Sequence, residues 1–310
     1  MFSWDEYWEQ LIKENNLNAI INKLNERDEK NGFEAEHTKN ICKEIHEDFE
    51  SHNKDFLNVK HEFLSIIEGL QNVHSFSSRL KAADSLILKI IRKRNSSYGK
   101  PNYRNINVSN YRETLGDIIG MRIILHYQGQ WRAIHDEIIN LFPEKYEYPK
   151  QGLVKHIEDE QFMAEAPKAY YDNGDDISQF ENIITAVPHD KGYRSFHYVI
   201  SFKNVYIELQ MRTIYDEAWS DCDHNYVYKN EANPNNLALS KLTKVLSKLT
   251  NCSSDISELM RLIYLGNYLS CKDNKIAINT EGVQRFEKIL NNLDEAKKAL
   301  IKFYDDTEKQ

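Results

Sequence analysis

The sequence predicts an α/β protein (α+β), a sheet mingled with helices, and three observations predict it. Val205, Ile207, Leu209 and Met211 interleave with Tyr206, Glu208, Gln210 and Arg212. That is a strand's period of two, with one apolar and one polar face. A second apolar run follows Asp117, with Met121, Ile123 and Leu125 on one side and Gly116 and Gly120 as its bounds. Towards both ends of the chain, apolar residues recur every three or four positions, as helices require.

Composition bounds the rest. A chain of 310 residues, 41% hydrophobic and 11% aromatic, can bury a substantial core as one elaborated domain or two small ones. A net charge of -8 excludes a protein that coats nucleic acid with its whole surface, but it permits a local basic pocket. Cys42, Cys222, Cys252 and Cys271 are scattered without a CxxC pair, as structural thiols in a reducing compartment would be. The amphipathic, acidic N-terminus is unlike a secretory signal, and no apolar run approaches the roughly 20 residues of a membrane span. A cytoplasmic protein is expected.

The elements follow in order. Residues 1–75 form an expected helical region, with one helix over 3–24 carrying Trp4, Tyr7, Trp8, Leu11 and Ile12 on one face. A polar break at Asn31 and Gly32 separates it from a helical stretch over 36–70, a packing scaffold without chemistry. From Ser78 the spacing predicts another helix, with Leu86, Ile87, Ile90 and Ile91 as its apolar stripe and Lys81, Ser85 and Lys89 in a row on another face. A solvated basic face is the ordinary reading of such a row. The strand after Asp117 carries Arg122 opposite Met121 and Ile123, and a helix over 130–141 holds His135 and Asp136, expected at the surface because no further metal-ligand series accompanies them. The acidic stretch 143–184 has low periodicity and is expected to be a long loop, a lid or a partner surface. Its Asp172, Asp175 and Asp176 do not follow a calcium-loop spacing and are expected in solvent. Lys191, Gly192, Tyr193, Arg194, Ser195 and His197 then place a glycine turn, an aromatic ring and several polar groups at the mouth of a strand. After a polar linker over 230–236 the extension 231–310 is expected to be helical, with segments starting near 237, 254 and 281.

Three of these stretches, taken together, carry a family resemblance. GDIIGMRI from Gly116, KGYRSFH from Lys191, and IELQMRT from Ile207, followed by Trp219, Asp223, His224, Tyr228 and Lys229, resemble motifs of the RelA/SpoT synthetase domain and come in that family's order. The likeness runs from about Ser78 to Lys229, within an expected core of 76–230, and is to the short, synthetase-only members known as small alarmone synthetases. It implies a mixed-sheet, nucleotidyltransferase-like core without a hydrolase domain. The implied activity is that of a (p)ppGpp synthetase, or GTP pyrophosphokinase, which moves pyrophosphate from ATP to the 3′ hydroxyl of GDP or GTP with magnesium. By the same resemblance Asp117 and Glu208 are the catalytic carboxylates and metal ligands. Arg79, Lys81, Lys89 and Arg122 bind ATP, with Arg122 at the adenine. His189, Lys191, Tyr193, His197, Gln210, Asp223 and His224 line the acceptor side. Where the family often carries a lysine, four residues before Tyr193, this chain has His189. That departure leaves tRNA 3′ ends and adenine nucleotides open as acceptors, as in toxin-type relatives. A catalytically silent nucleotide-binding module is a third reading, which the intact Asp117 and Glu208 argue against. Expected partners are ATP and GDP or GTP, with tRNA, a second copy, or a regulatory or antitoxin protein open, and no membrane.

The chemistry can be weighed apart from the resemblance. Pyrophosphate transfer needs a metal among charged oxygens, cations along the phosphate chain and a group that takes the hydroxyl proton. Two carboxylates on strand-associated motifs and a basic segment meet that need, and the carboxylates are expected to converge at one sheet edge. Tyr193 after Gly192 offers a ring for base stacking. No GxxxxGK[ST] loop is present, which sets a P-loop mechanism aside.

Overall fold

The computed structural model describes residues 3–34, 36–95, 101–145, 161–172, 175–189, 192–227, 236–267, 269–272 and 275–308. Helices α1 (Trp4–Glu14), α2 (Asn18–Lys30), α3 (His37–Ser51) and α4 (Asn53–Ile67) precede strand β1 (Ser75–Leu80) and helix α5 (Ala83–Asn95). Short helices α6 (Pro101–Arg104) and α7 (Tyr111–Thr114) lead to β2 (Ile119–Leu125) and α8 (Trp131–Leu141). Strands β3 (Phe162–Asp172), β4 (Thr185–His189), β5 (Ser195–Phe202) and β6 (Val205–Thr213) follow, then α9 (Ile214–Cys222) and α10 (Asn236–Tyr264). A hairpin of β7 (Leu269–Lys272) and β8 (Lys275–Ile278) joins α10 to α11 (Thr280–Glu308). Among the described residues no helix is long and apolar enough to cross a membrane.

The sheet is mixed, in the order β1-β2-β6-β5-β3-β4, with β2/β6 and β3/β4 parallel and the other pairs antiparallel. The α+β class expected from the sequence is the class observed. The alternation over 205–212 is a real strand. Its register is set by a two-residue turn at Lys203 and Asn204, both at positive φ, which returns the chain antiparallel with Phe202 opposite Val205. One sheet face, with Met121, Ile123, Ile207, Leu209, Met211, Tyr198 and Ile200, joins the buried residues of α1–α5 and α8 in a single apolar core. Thr213 ends β6 and caps α9: its Oγ1 accepts from the Asp216 amide at 3.2 Å while Asp216 Oδ2 accepts from the Thr213 amide at 3.1 Å.

The N-terminal helices are tied to α5 by a buried polar knot. Asp28 accepts from Thr38 Oγ1 at 2.7 Å and lies 3.6 Å from Arg94, which in turn donates to the Ile106 carbonyl at 2.9 Å. Asp28, Thr38 and Arg94 are all buried.

Several elements differ from the expectation. The helix over 3–24 is two helices, because Asn16 at φ 53° is left-handed and breaks the ladder. The stretch 36–70 likewise divides at His52 into α3 and α4. Ser75–Leu80 is a strand, so Arg79 and Lys81 do not stand on the helix that begins at Ala83. The apolar stripe starts only at Leu86, and upstream of it the residues alternate between exposed and half-buried as a strand does. Part of the supposed loop 143–184 is β3, whose period is masked by Pro167 and by register irregularities between Met163 and Lys168. His135 is buried, not at the surface, and its Nδ1 lies 3.2 Å from the Tyr198 hydroxyl, while Asp136 is exposed. The C-terminal extension holds one continuous helix from Asn236 to Tyr264 and a small hairpin where only helices were expected.

Candidate active site

Strand register builds the site. Paired residues of neighbouring strands point to the same face, and β2 beside β6 sets Gly120 against Glu208 and Arg122 against Gln210. On one flank β1 adds Arg79 beside Gly120 and Ser77 beside Arg122. On the other, β5 adds His197 beside Gln210, and β3 adds Lys168 beside His197. The polar face opposite the core thus carries the row Ser77, Arg122, Gln210, His197 and Lys168 across five of the six strands. Ser77, Arg79, Arg122, Glu208, Gln210 and His224 line an open cleft of about 630 Å³ over it. A Cβ on Gly120 would approach Arg79 Nε to 3.3 Å, so the missing side chain lets the arginine lie across β2.

Asp117 stands just before β2, where two lysines converge on it. Lys81 Nζ lies 3.0 Å and Lys89 Nζ 2.5 Å from the same oxygen, Oδ2. Lys81 arrives from the β1–α5 connection and Lys89 from α5, so the fold achieves by convergence what a single helical row was expected to do. Burial alone would raise the Asp117 carboxyl, but Lys89 and Lys81 outweigh it and hold it below the ordinary aspartate value. Burial also pulls Lys81 down, with the charge of Asp117 opposing. Asp117 Oδ1 is buried without a hydrogen-bond partner among the described residues.

Glu208 lies on an interior strand and Asp117 just before another, so neither carboxylate belongs to an edge strand of the sheet. Glu208 feels the negative charge of Asp117. Gln210 Nε2 donates to Glu208 Oε2 at 2.9 Å, and His197 Nδ1 is 3.7 Å from Oε1. Burial would raise Glu208, yet its contact with His197 holds it below the ordinary glutamate value.

Of the residues expected on the acceptor side, Tyr193, His197 and His189 come together in an aromatic cluster with Tyr170 and Trp219. The Tyr193 hydroxyl is 2.7 Å from His197 Nε2 and accepts from Arg212 at 3.3 Å, and the Arg212 guanidinium sits over its ring at 5.3 Å. Gln210 accepts from Arg212 as well. His224 lines the cleft together with Gln210, Arg79 and Arg122, while Asp223 opens the turn after α9. Lys191 lies outside the described residues, as do Tyr228 and Lys229.

Sequence reasoning missed four members. Glu217 on α9 accepts from Arg122 at 2.5 Å and lies 3.3 Å from Arg212, holding two neighbouring strands' arginines. Arg212 had a legible signal, its parity with Glu208 and Gln210. Tyr170 sits on β3, in the stretch taken for a loop. Asp175, expected in solvent, receives Arg194 Nε at 2.8 Å.

Residues 78–233 match the family model described as a region found in RelA / SpoT proteins. The chain belongs to the RelA/SpoT family. The RelA/SpoT region ends before α10, and it contains Asp117, Glu208 and every residue lining the cleft except Ser77, which immediately precedes it. Among solved structures, the chain is similar to a GTP pyrophosphokinase family protein from Streptococcus pneumoniae, with 15% identity, a TM-score of 0.46, and 71% of this chain and 93% of that one covered. It is also similar to small alarmone synthetase 1 from Bacillus subtilis, with 19% identity, a TM-score of 0.44, and 70% and 96% covered. No curated protein matches the chain.

Proposed function

We propose that the chain is a pyrophosphokinase that transfers the terminal pyrophosphoryl group of ATP to the 3′ hydroxyl of GDP or GTP. The observation that carries this reading is an ionised Glu208 lining a cleft with Arg79 and Arg122 while a second ionised carboxylate, Asp117, close enough for Glu208 to feel its charge, gathers Lys81 and Lys89. Membership of the RelA/SpoT family supports it. In the reaction the 3′ oxygen bonds to the β phosphorus of ATP as that phosphorus parts from the oxygen bridging to the α phosphorus, and AMP leaves with the electron pair. Glu208 accepts the hydrogen bond of the attacking hydroxyl and then its proton, and His197 orients Glu208. Arg79, Lys81 and Lys89 face the phosphates and Arg122 the adenine.

The residues present fit magnesium. Among the described residues no three His, Cys, Asp or Glu side chains cluster for a metal, but magnesium needs only one or two carboxylates when substrate phosphates complete its shell. Asp117, with its unpartnered Oδ1, and Glu208 would hold it. Bound there, magnesium would offset the negative charge that grows on the phosphate oxygens.

Incubation with γ-labelled ATP and magnesium, offering GDP, GTP, AMP, ADP, ATP and tRNA in parallel, tests the reading. Label is expected on GDP or GTP. Label confined to tRNA or adenine nucleotides overturns the acceptor assignment, and none on any acceptor overturns the transferase.

Two further outcomes test the residue roles. Arg79→Ala, Lys89→Ala and Arg122→Ala should each raise KM for ATP, since charge-assisted contacts are worth about 1.5 to 3 kcal/mol, with little change for the acceptor. An unchanged KM in all three removes these cations from the donor site. Tyr193→Ala should cost roughly 1 to 3 kcal/mol of guanine-nucleotide binding if the base stacks on the ring, while Tyr193→Phe keeps most of it. Equal losses for ATP and acceptor, together with a lowered Tm, would instead make Tyr193 a packing residue.

A further inference from the structure

The helix beyond the family region meets the site with an unusual face. Thr243, Ser247, Asn251, Ser254 and Glu258 recur every three or four residues along α10 and are all buried. An amphipathic helix ordinarily buries an apolar stripe. Here the apolar side faces α11, through Cys252, Leu259 and Ile289, and the main core includes no residue of α10. Burying polar groups is costly unless each finds a partner: the Thr243 hydroxyl donates back to the Leu239 carbonyl, Glu258 accepts from the Gly129 amide and Arg261, and Asn251 and Ser254 reach the site's strands. The Trp219 indole donates to the Thr243 carbonyl at 2.9 Å. Asn251 donates to Asp172, at the end of β3, at 3.1 Å, and Ser254 Oγ lies 3.4 Å from Thr213 Oγ1.

Two further contacts of α10 fall on either side of Tyr193. Gly192 has φ 79°, a conformation that side chains disfavour, and a Cβ there would come within 1.8 Å of Ser247 Oγ. That hydroxyl reaches the Gly192 carbonyl at 3.4 Å. Arg194 is buried between Asp175 and, at 3.3 Å, Asp255 of α10. Tyr193 is therefore held between two residues that α10 fixes.

We propose that α10 is a clamp on the loop 192–194, with Ser247 and Asp255 as positioning residues that set the pose of Tyr193 and so the affinity for the acceptor. The link to acceptor affinity rests on the pyrophosphokinase reading, whereas the clamp itself does not. A displacement of about 1 Å in a group that positions substrate can cost on the order of 100-fold, so a loosened loop should be visible in kinetics.

The test uses the full chain with Ser247→Val, which wedges the helix from Gly192, and Asp255→Asn, which removes the charge facing Arg194. Lys248→Ala, which breaks the exposed pair with Glu295, is the control on the same helix. At saturating ATP, both clamp variants should raise KM for GDP at least tenfold, leave KM for ATP within twofold, and speed amide exchange at residues 193–195 at least tenfold. Lys248→Ala should change none of these, and Asp255→Glu should restore much of the loss. Unchanged exchange at 193–195 in both clamp variants overturns the clamp, and so does a rise spread evenly over the sheet. Faster exchange confined to the loop with an unaltered KM for GDP overturns its bearing on the acceptor. If the wild type labels no acceptor, the functional reading fails and amide exchange still decides the clamp.

Discussion

Asp117→Asn and Glu208→Gln are expected to fold and to keep ATP binding, yet each to lose at least about 100-fold in kcat. General acid-base action alone contributes on the order of 100- to 10,000-fold, and loss of a charged ligand adds to that. Both substitutions keep shape and remove charge, so the loss should fall on turnover. Single-turnover transfer of label from γ-labelled ATP measures it, and near-normal rates in either variant would remove that carboxylate from the reaction. Asp117→Asn carries a second signature. The folded-state carboxyl titrates below its ordinary value of 3.8, so its pairing with Lys89 and Lys81 contributes stability that is full above that value and is lost as pH falls through the folded one. The stability gap between wild type and Asp117→Asn should therefore narrow as acid is added below about pH 4.

The largest effect on stability is expected far from the chemistry, at Asp28. Asp28→Ala leaves the Arg94 guanidinium buried without its counter-charge and deprives Thr38 of its acceptor. Breaking a buried pair from one side costs about 3 to 5 kcal/mol, a large share of the 5 to 15 kcal/mol by which domains are typically stable. Denaturant unfolding reads this directly, and a loss under about 1 kcal/mol would show that the knot is dispensable. Replacing both partners, Asp28→Leu with Arg94→Met, should recover much of the loss, because an apolar pair avoids the desolvation that the ions incur. Since α5 carries Lys89 as well as Arg94, the single variant should also weaken ATP use at temperatures where it remains folded.

How much was legible in the sequence follows from the range of the forces involved. The alternation over 205–212 is local and marks one buried and one polar face, so β6 and the orientation of Glu208 could be read directly. Asp117 was legible through its motif, but its two lysines were not placed correctly. A helical row and a strand followed by a helix share the spacing from Lys81 to Lys89, and only pairing of Ser75–Leu80 with β2 separates them. β3 escaped because Pro167 and the irregular register break its period, and its outward residues, Lys168 and Tyr170, belong to the polar site face. Arg194 with Asp175 and Asp255 could not be seen at all. These residues are distant in sequence, and each alone has the composition of an exposed loop or helix.

The parallel pairing of β2 with β6 has a bearing on how the molecule comes into being. Between β2, which Asp117 precedes, and β6, which carries Glu208, lie α8 and three strands, so closing that pair means ordering a long loop before any of its contacts reward the loss of entropy. A nascent chain that has exposed only β1, α5 and β2 already holds Asp117 and its lysines but has no Glu208 beside them. Only after β6 has emerged and paired with β2 does the cleft exist, so the site is completed late in synthesis of the chain.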